Sequence, residues 1–515
     1  EEITPTPNYW CTWGAQNYGA DNVDLYTWNG PYNNLNQQIL FEDPGWATRF
    51  FRQARSDLYV MFDVGWDTAA GIAIEEERWR LGSLVVDSDR FPDCSGSPPE
   101  RLACLNRLCW EAGWRGAAIW VAPQVAGLEE PEAMADHRAY WEERARWSRE
   151  AGIDYWKVDV GRHAGEVAYR RMMTEVCREV YPELMLEHAV NLGPLNDEPT
   201  PWSEMAGGGS GRYRNWDEGG VRACALEILD FADVFRTYDV TAHLSAATTI
   251  DRLAELLGGA PHNPSGRALL NAEDEVYLAA ALGCTIGVMR HAAWRDHEID
   301  YDPHGWRHSL DEVLRAVRWQ RLAPAVGAHT LPVTVSKRIL TDSWRFHEGD
   351  TWAHFYWGER YEQAAPAVVA RGMPLPEVQR GPGDGGPEDL PFVVASRHLQ
   401  GPVSVATLPR TDEERGIYHP RAHVSLSLTD LSAPVAVFGH YASLRLALPA
   451  GEGQPRVWAQ DLGGDAAVEI TGRLSEEEGH LVLPGAVIEE AGLAAATPGD
   501  RSAPGLVLSF VAESA

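Results

Sequence analysis

Cysteine is scarce in this chain: seven of its 515 residues are cysteines, and no two of them form a Cys-x-x-Cys pair. The lack of such pairs disfavours a zinc ribbon and a thioredoxin-like redox site. The odd number leaves at least one thiol unpaired within the chain, and a disulfide between Cys94 and Cys104 stays open. Residues 1–325 also lack a GxGxxG fingerprint, a P-loop and a GxSxG elbow, which argues against dinucleotide-binding, kinase and lipase-type proteins.

Basic residues are also few. Lys and Arg number 44 against 75 Asp and Glu, which gives a formal net charge of −31. A surface of this charge repels phosphate backbones and anionic membranes, so we expect neither a nucleic-acid partner nor a membrane partner. The sequence has no run of 18 uncharged apolar residues and predicts no transmembrane helix. A neutral substrate such as a sugar is compatible with this charge, and no motif calls for a cofactor.

Tryptophan is the residue present in excess, with 21 copies. Most should pack in the core, because large aromatic rings gain much from burial. Several, however, lie at the ends of predicted strands in the first 325 residues, among them Trp13, Trp66 and Trp120. At such positions a ring can stack against the C–H face of a sugar, so these tryptophans favour a carbohydrate site.

Residues 1–325 alternate short apolar runs with amphipathic helical stretches such as Pro99–Ala112, a pattern typical of a parallel α/β fold. Seven strands are visible, and an eighth near Gly259–Asn263 would complete a (β/α)8 barrel. We therefore predict a catalytic TIM barrel over residues 1–325. The seven strands are predicted at Asn8–Gly14, Leu58–Asp63, Gly116–Val121, Tyr155–Asp159, Leu184–His188, Val234–Tyr238 and Thr285–Arg290.

The pattern changes after residue 325 to short β-rich runs separated by Gly, Pro and Asp. This texture predicts a C-terminal antiparallel β-sandwich domain over residues 326–515. The stretch Arg371–Glu388, rich in Pro and Gly, is expected to be a surface loop. The strands are predicted at Trp352–Tyr356, Ala367–Ala370, Phe392–Ala395, Ser404–Leu408, His423–Leu428, Val435–Phe438, Leu444–Leu448 and Gly505–Phe510.

Carboxylates end several of the predicted barrel strands, where the chemistry of this fold takes place. They are Asp63, Asp159, Glu187 and Asp239, and converging carboxylates with aromatics suit glycosidic cleavage. Strand alternation places Lys157 and Asp159 on one face of the fourth strand. A neighbouring lysine lowers the pKa of an aspartate and keeps it ionised, as a nucleophile requires. A purely structural ion pair is the alternative.

These segments together resemble clan D glycoside hydrolases, especially families 27 and 36, the retaining alpha-galactosidases and their relatives. The family nucleophile lies in a Tyr-x-Lys-x-Asp motif that closes the fourth strand, and Tyr155-Trp156-Lys157-Val158-Asp159 matches it. Arg90-Phe91-Pro92, the strand segment Gly116–Pro123 and the opening Thr4–Trp13 also resemble family segments, in the same order. The resemblance implies a barrel with a C-terminal β-domain, a retaining mechanism and Asp159 as the nucleophile.

The resemblance also implies an acid/base residue after the sixth strand. The family places it four positions after an arginine, and here Asp239 follows Arg236 by three positions. Asp233 is the alternative acid. An N-cap of the following segment is the other interpretation of Asp239.

A second departure from the family lies at the end of the second strand. The family has two adjacent aspartates there that hold sugar hydroxyls, and this chain has Asp63 followed by Val64. The lost carboxylate should weaken hydroxyl recognition, although Asp67 is in reach to compensate. By the resemblance and by position at strand ends, the residues expected to bind substrate are Trp13, Asp63, Trp66, Asp67, Trp120, Lys157, Glu187 and Arg236.

The sequence thus predicts a retaining exo-alpha-glycosidase, alpha-galactosidase-like, acting on a glycoside or oligosaccharide by double displacement. A β-L-arabinopyranoside, an α-N-acetylgalactosaminide or an α-glucoside as substrate stays open, as do transglycosylation, a non-catalytic carbohydrate-binding protein and the oligomeric state. The start at Glu1-Glu2 favours a secreted or periplasmic protein whose leader was removed. No HExxH accompanies the histidines after the last strand, so no catalytic metal is expected. Those histidines are His291, His297, His304 and His308.

Overall fold

Eight parallel strands dominate the first half of the computed structural model, paired in the order β7-β6-β5-β4-β3-β2-β1-β8. A parallel bridge joins Asn271, in one edge strand, to Thr285, which lies two residues before the other edge strand, so the sheet closes into a barrel. The strands are β1 Asn8–Cys11, β2 Leu58–Phe62, β3 Gly116–Val121, β4 Tyr155–Val158, β5 Met185–Ala189, β6 Val234–Arg236, β7 Leu269–Asn271 and β8 Gly287–Val288. The structure describes residues 4–19, 29–42, 44–71, 78–127, 134–189, 221–237, 243–258, 268–292, 309–350, 357–382, 389–450 and 454–511.

Helices alternate with these strands, and the predicted (β/α)8 barrel is confirmed. The helix Pro98–Glu111 shows why they form: Ser97 and Glu100 make a capping box at its start, with proline in the first turn. No helix in the described part of the chain is long and apolar enough to cross a membrane. The helices described are Trp13–Tyr18, Asn29–Asn33, Gln37–Phe41, Trp46–Arg49, Pro98–Glu111, Met134–Ala151, Val167–Val180, Val221–Leu229, Ser245–Gly258, Val276–Leu282, Asp311–Leu322 and Gly485–Gly492.

One barrel strand lies later in the chain than predicted. The strand between the sixth and the last is Leu269–Asn271, whereas the sequence placed it near residues 259–263, which lie outside the described residues. Only three residues long, it offers no measurable alternation of apolar and polar positions.

Strand alternation divides the barrel side chains into two sets. The outward set packs under the helices in the main core, with Trp10, Val60 and Trp156 among its fully buried members. The inward set, together with Tyr18 of the first helix, forms a separate cluster inside the barrel. The buried members of that inner cluster are Tyr9, Cys11, Tyr18, Tyr59, Met61, Ala118, Tyr155, Val234 and Met289.

The second half of the chain is rich in strands, as predicted. It contains an eight-stranded sheet ordered β22-β21-β25-β19-β15-β14-β12-β9, a five-stranded sheet ordered β13-β18-β20-β24-β23, and two hairpins, β10-β11 and β16-β17. Buried residues of both large sheets belong to one apolar cluster, for example Val437 and Leu446. The strands are β9 Val333–Val335, β10 Ile339–Arg345, β11 Arg360–Pro366, β12 Val368–Arg371, β13 Glu377–Arg380, β14 Phe392–Arg397, β15 Val403–Leu408, β16 Arg410–Asp412, β17 Gly416–Tyr418, β18 Ala422–Ser427, β19 Val435–Phe438, β20 Ser443–Ala447, β21 Arg456–Asp461, β22 Ala467–Glu469, β23 Ser475–Glu477, β24 His480–Pro484 and β25 Gly505–Val511.

Several details of this region differ from the prediction. The two large sheets are mixed, because the pairs β12–β14, β15–β19 and β18–β20 are parallel. The expected loop Arg371–Glu388 contains the edge strand β13, and the expected all-β region contains the helix Gly485–Gly492. The predicted strand Trp352–Tyr356 lies outside the described residues. The boundary at 325/326 stays a prediction; it falls between the helix Asp311–Leu322 and β9.

The barrel and the β-rich region share a buried contact. Every residue of the helix Val276–Leu282 is buried, and the hydroxyls of Ser396 and Ser404 donate to its Ala281 carbonyl at 2.6 and 2.8 Å. Nearby, Arg315 on the last barrel helix forms a two-point ion pair with Asp461, with N–O distances of 2.8 and 3.1 Å. These contacts fasten the two halves of the described chain to each other.

The cysteines are all present as free thiols. The Sγ atoms of Cys94 and Cys104 nevertheless lie 2.7 Å apart, in the loop before the helix Pro98–Glu111 and within that helix. The pairing left open by the sequence is therefore one that the fold brings together.

Candidate active site

The carboxyl ends of four barrel strands bring five charged side chains together. Lys157 lies in β4 and Asp159 directly follows it, Asp63 follows β2, Arg236 ends β6, and Glu273 stands two residues after β7. None is more than 8% exposed. Parallel strands end at the same mouth of a barrel, so residues far apart in the chain meet there.

The two oxygens of Asp159 differ in their hydrogen bonds. Its Oδ2 accepts hydrogen bonds from Nη2 of Arg236 at 2.8 Å and from Nε1 of Trp120 at 3.2 Å. Its Oδ1 has no hydrogen-bond partner among the residues that the structure describes. The Arg170 guanidinium donates to the Asp159 carbonyl at 2.8 Å and holds the backbone in place. The carboxylate is thus oriented through Oδ2, while the buried Oδ1 carries no hydrogen bond from the described residues.

The charges around Asp159 keep it ionised. Burial alone would raise the pKa of this carboxyl, but the positive charges of Arg236 and then Lys157 outweigh burial and hold the pKa below its usual value of 3.8. An ionised carboxylate at neutral pH is what a nucleophile needs.

Lys157 is a fixed cation at the centre of the cluster. Its Nζ lies 2.9 Å from Oδ2 of Asp63 and 3.9 Å from Oε1 of Glu273. The Cys11 thiol also donates to Oδ2 of Asp63, at 3.1 Å. Burial lowers the pKa of Lys157, but Asp63 and the other anionic neighbours raise it well above its usual value of 10.5. Lys157 and Asp63 therefore form a paired, charged wall of the site.

Glu187 lies deeper than predicted. It is fully buried, and its two oxygens accept hydrogen bonds from Tyr9 at 2.9 Å, Tyr155 at 2.6 Å and Asn271 at 2.7 Å. These three donors come from β1, β4 and β7, so Glu187 ties strands together below the mouth. Its contact with a sugar stays a prediction, and the geometry gives it a structural part.

The three tryptophans expected at the site have different environments. Trp66 has no exposed surface, and its Nε1 donates to the Trp120 carbonyl at 3.0 Å, so it packs in the core and offers no face to a ligand. Trp120 reaches Asp159, and Trp13 is half-buried beside it. Val64, which replaces an acid of the family, packs in the same rim cluster. That cluster consists of Val64, Leu81, Trp120 and Ala122, with Trp13, Tyr32 and Val160 at its edge.

Asp67 holds the loop behind this rim. Its Oδ2 accepts from the Gly82 backbone N–H at 3.0 Å and from the Ser83 hydroxyl at 3.3 Å. Burial raises the pKa of Asp67 from 3.8 to about 6. Its Oδ1 is buried and has no hydrogen-bond partner among the residues described. Asp67 therefore supports the rim, and its proposed contact with a sugar hydroxyl stays a prediction.

Of the two candidate acid residues, the structure describes one. Asp239 lies outside the described residues. Asp233 precedes β6, at the amino end of the barrel, where it pairs with Arg178 at 2.9 Å and accepts from the Leu186 backbone N–H at 3.1 Å. Since Asp159 follows the carboxyl end of β4, Asp233 is at the opposite end of the barrel and is removed as the alternative acid.

Glu273 is the charged residue of the mouth that sequence reasoning missed. It was overlooked because β7 itself was not recognised, and so no strand end pointed to it. The sequence does contain a signal for it. Leu269 and Leu270 are followed by Asn271 and, two positions later, by the carboxylate Glu273, and an apolar run that ends in polar residues is typical of a strand that ends at a barrel mouth.

No metal site is found in the part of the chain that the structure describes, where no group of three or more His, Cys, Asp or Glu side chains converges suitably. His297, His304 and His308 lie outside that part. His291 lies close to Phe50, with ring centroids 6.1 Å apart.

No protein-family model and no curated protein sequence matches the chain. Solved structures with similar folds include a family 27 β-L-arabinopyranosidase from Geobacillus stearothermophilus, with 10% identity, a TM-score of 0.39, and coverage of 98% of this chain and 96% of that one. An alpha-amylase from Geobacillus thermoleovorans, complexed with acarbose, has 11% identity and a TM-score of 0.41 over 99% of both chains. A Bacillus halodurans protein, provisionally assigned as an alpha-N-acetylgalactosaminidase, has 9% identity and a TM-score of 0.41 over 99% and 98%. By their names, these neighbours are glycoside hydrolases.

Proposed function

We propose that this protein is a retaining glycoside hydrolase that removes a terminal sugar from a glycoside or oligosaccharide, with Asp159 as the nucleophile. The observation that carries the proposal is the setting of Asp159: its carboxylate is buried beside Arg236, which holds Oδ2 at 2.8 Å, while Oδ1 is buried without a hydrogen bond from the described residues. A carboxylate held in this way can attack an anomeric carbon without first losing a proton or breaking a hydrogen bond at the attacking oxygen.

The charge of the mouth suits the same reaction. Glycosidic cleavage passes through a transition state that resembles an oxocarbenium ion and carries positive charge. Among the described residues of the mouth, the carboxylates Asp63, Asp159 and Glu273 lie against the cations Lys157 and Arg236, with the Arg170 guanidinium on the Asp159 carbonyl. Carboxylates fixed beside the reacting carbon stabilise such a transition state more than they stabilise the neutral substrate.

Double displacement then gives each acid a separate role. Oδ1 of Asp159 attacks the anomeric carbon while Asp239 protonates the leaving oxygen, and a covalent glycosyl ester forms. In the second step Asp239 takes a proton from water, which displaces Asp159 with net retention. The position of Asp239 after β6 and the family resemblance support this assignment.

The sugar we favour is an α-galactoside, with a β-L-arabinopyranoside as the second candidate. The β-L-arabinopyranoside is supported by Val64. Its apolar side chain belongs to the rim cluster, at the position after Asp63 where the family has a carboxylate that binds a sugar hydroxyl. A β-L-arabinopyranoside has the ring of α-galactose without the hydroxymethyl group, so it needs fewer polar partners. An α-glucoside or α-N-acetylgalactosaminide as substrate, and transglycosylation, are further outcomes of the same assay.

The test is a panel of nitrophenyl glycosides with α-galactoside, β-L-arabinopyranoside, α-N-acetylgalactosaminide and α-glucoside, run on the wild type, Asp159→Asn and Asp159→Ala. We expect at least one substrate to be cleaved with retention, measured by NMR of the first sugar anomer released. Both variants should lose about 10⁴-fold or more in kcat, with the fold retained by circular dichroism.

A matched control is Asp233→Asn, which neutralises a buried carboxylate at the other end of the barrel and should keep turnover. Trapping with a 2-deoxy-2-fluoro sugar should add the glycosyl mass to the peptide that contains Asp159. Near-normal rates in Asp159→Asn, or release of the inverted anomer, would contradict the mechanism. Sugar binding by a wild type that cleaves nothing would instead indicate a non-catalytic carbohydrate-binding protein.

A further inference from the structure

Arg236 stands between two carboxylates at the barrel mouth. Its Nη2 donates to Oδ2 of Asp159 at 2.8 Å, while its Nη1 faces Glu273, at 3.3 Å from Oε1 and 3.5 Å from Oε2. Arg236 is 2% exposed and Glu273 is fully buried, so water competes little with these contacts. The guanidinium is therefore shared, with one amino group for each acid.

This division of the guanidinium is unusual for a buried arginine. A guanidinium and a carboxylate pair best in parallel, with two N–H groups on the two oxygens of a single acid. If Arg236 paired with Asp159 in that way, both oxygens of the nucleophile would be occupied. In the structure Asp159 receives only one N–H of the pair, and its Oδ1 has no hydrogen-bond donor among the described residues.

The backbone fixes Glu273 at this position. The next residue, Asp274, has a φ of 58°, in the left-handed region that a non-glycine residue seldom occupies. The Asp274 side chain holds that turn by accepting hydrogen bonds from the backbone N–H of Met289 at 3.1 Å and of Arg290 at 3.3 Å. Glu273 is thus set at the mouth by a braced turn rather than by a flexible loop.

We propose that Glu273 is a positioning residue: it holds Nη1 of Arg236 and so prevents the guanidinium from closing over both oxygens of Asp159. The inference rests on the proposed function, in which Oδ1 of Asp159 is the attacking atom. Glu273 touches no reacting atom in this scheme. It acts through Arg236, and its charge also faces Lys157 at 3.9 Å.

The experiment compares the wild type with Glu273→Ala, Glu273→Gln and Glu273→Asp. In crystal structures of the Ala and Gln variants we expect Nη1 of Arg236 to move to about 3 Å from Oδ1 of Asp159. We expect the effect on a substrate for which the attack of Asp159 on the sugar limits the rate. For such a substrate kcat should fall about tenfold to a hundredfold, the range that corresponds to one charge-assisted hydrogen bond, and KM should be nearly unchanged. Glu273→Asp should recover part of the loss.

Asp233→Asn is again the matched control, because it removes a buried carboxylate from Arg178 far from the mouth. If Glu273→Gln changes kcat no more than this control, or if Arg236 keeps its single contact to Asp159 in the variants, the inference is overturned. The volume-preserving Gln variant decides the question if the Ala variant does not fold. The crystallographic distance can be read even if the wild type cleaves no substrate, so failure of this inference and failure of the proposed function are separate results.

Discussion

Replacing Arg236 by glutamine should move the pH profile of the enzyme towards higher pH. The positive charge of Arg236 is the main cause that lowers the pKa of Asp159, and burial is the larger opposing cause that raises it. Without the arginine, burial is opposed mainly by the charge of Lys157, and the carboxyl takes up its proton at higher pH. An arginine next to an aspartate lowers the aspartate pKa by about 1 to 3 units, so the acid limb of kcat/KM should rise by about 1 to 3 pH units.

The same substitution changes stability with a defined sign. In the wild type, the lowered pKa of Asp159 contributes stability that is present above the pKa of the unfolded chain and is lost as pH falls through the folded value. In Arg236→Gln the folded pKa lies closer to that of the unfolded chain, so this pH-dependent stabilisation should become smaller. Removing one partner of a buried ion pair costs about 3–5 kcal/mol, so rates must be measured well below the melting temperature.

The assay is kcat/KM against pH on the best aryl glycoside, with Trp120→Phe as the control. Trp120 donates the other hydrogen bond to Oδ2, at 3.2 Å, but carries no charge. Its removal should therefore shift the acid limb less than the loss of Arg236. An acid limb that stays in place in Arg236→Gln, or an equal shift in both variants, would refute the electrostatic account of Asp159.

Four further outcomes are expected. Asp239→Ala should slow cleavage strongly for poor leaving groups and weakly for acidic ones, which need little protonation; equal losses on both would count against its role as the acid. Val64→Asp should raise the ratio of kcat/KM for the α-galactoside to kcat/KM for the β-L-arabinopyranoside about tenfold or more, because it restores a carboxylate that can bind a sugar hydroxyl. An unchanged ratio would show that Val64 does not determine which sugar is cleaved. Asp67→Asn should remove the loss of stability that accompanies ionisation of this buried acid between pH 3.8 and about 6, seen as a flatter melting temperature across that window. Treatment with an excess of a low-molecular-weight disulfide should join Cys94 to Cys104, because their Sγ atoms are 2.7 Å apart. The protein loses two thiols in this exchange, and the reagent is reduced to its two thiols. Peptide mapping that shows no Cys94–Cys104 linkage would contradict this prediction.

The elements with a strong local pattern could be predicted from the sequence. Gly116–Val121 and Val435–Phe438 have the predicted bounds, because each is an apolar run between clear turn signals. The strand Leu269–Asn271 could not be found in this way, since three residues carry no period, and its partners are fixed by barrel closure. The parallel pairs of the C-terminal sheets are likewise set by long-range packing, which no short run of residues encodes.

The residues of the candidate site also differ in how far the sequence alone could predict their positions. Lys157 and Asp159 could be placed together because two positions on one strand share a face, and that inference depends only on local geometry. Glu187 is also at a strand end, but its depth follows from Tyr9 and Tyr155, which reach it from other strands. Glu273 required knowledge of the seventh strand. Position along one strand is therefore readable from sequence, whereas depth in the barrel depends on the side chains of its neighbours.

The buried helix Val276–Leu282 has a consequence for how the chain can be made and divided. All of its residues are buried, and the Tyr277 hydroxyl donates to the carbonyl of Ala503, close to the end of the described chain. This barrel helix therefore gains the Ala503 contact only after the ribosome has added a further 226 residues. We expect gene fragments that encode residues 1–325 alone to yield aggregating protein, because they lack the residues that cover this buried helix.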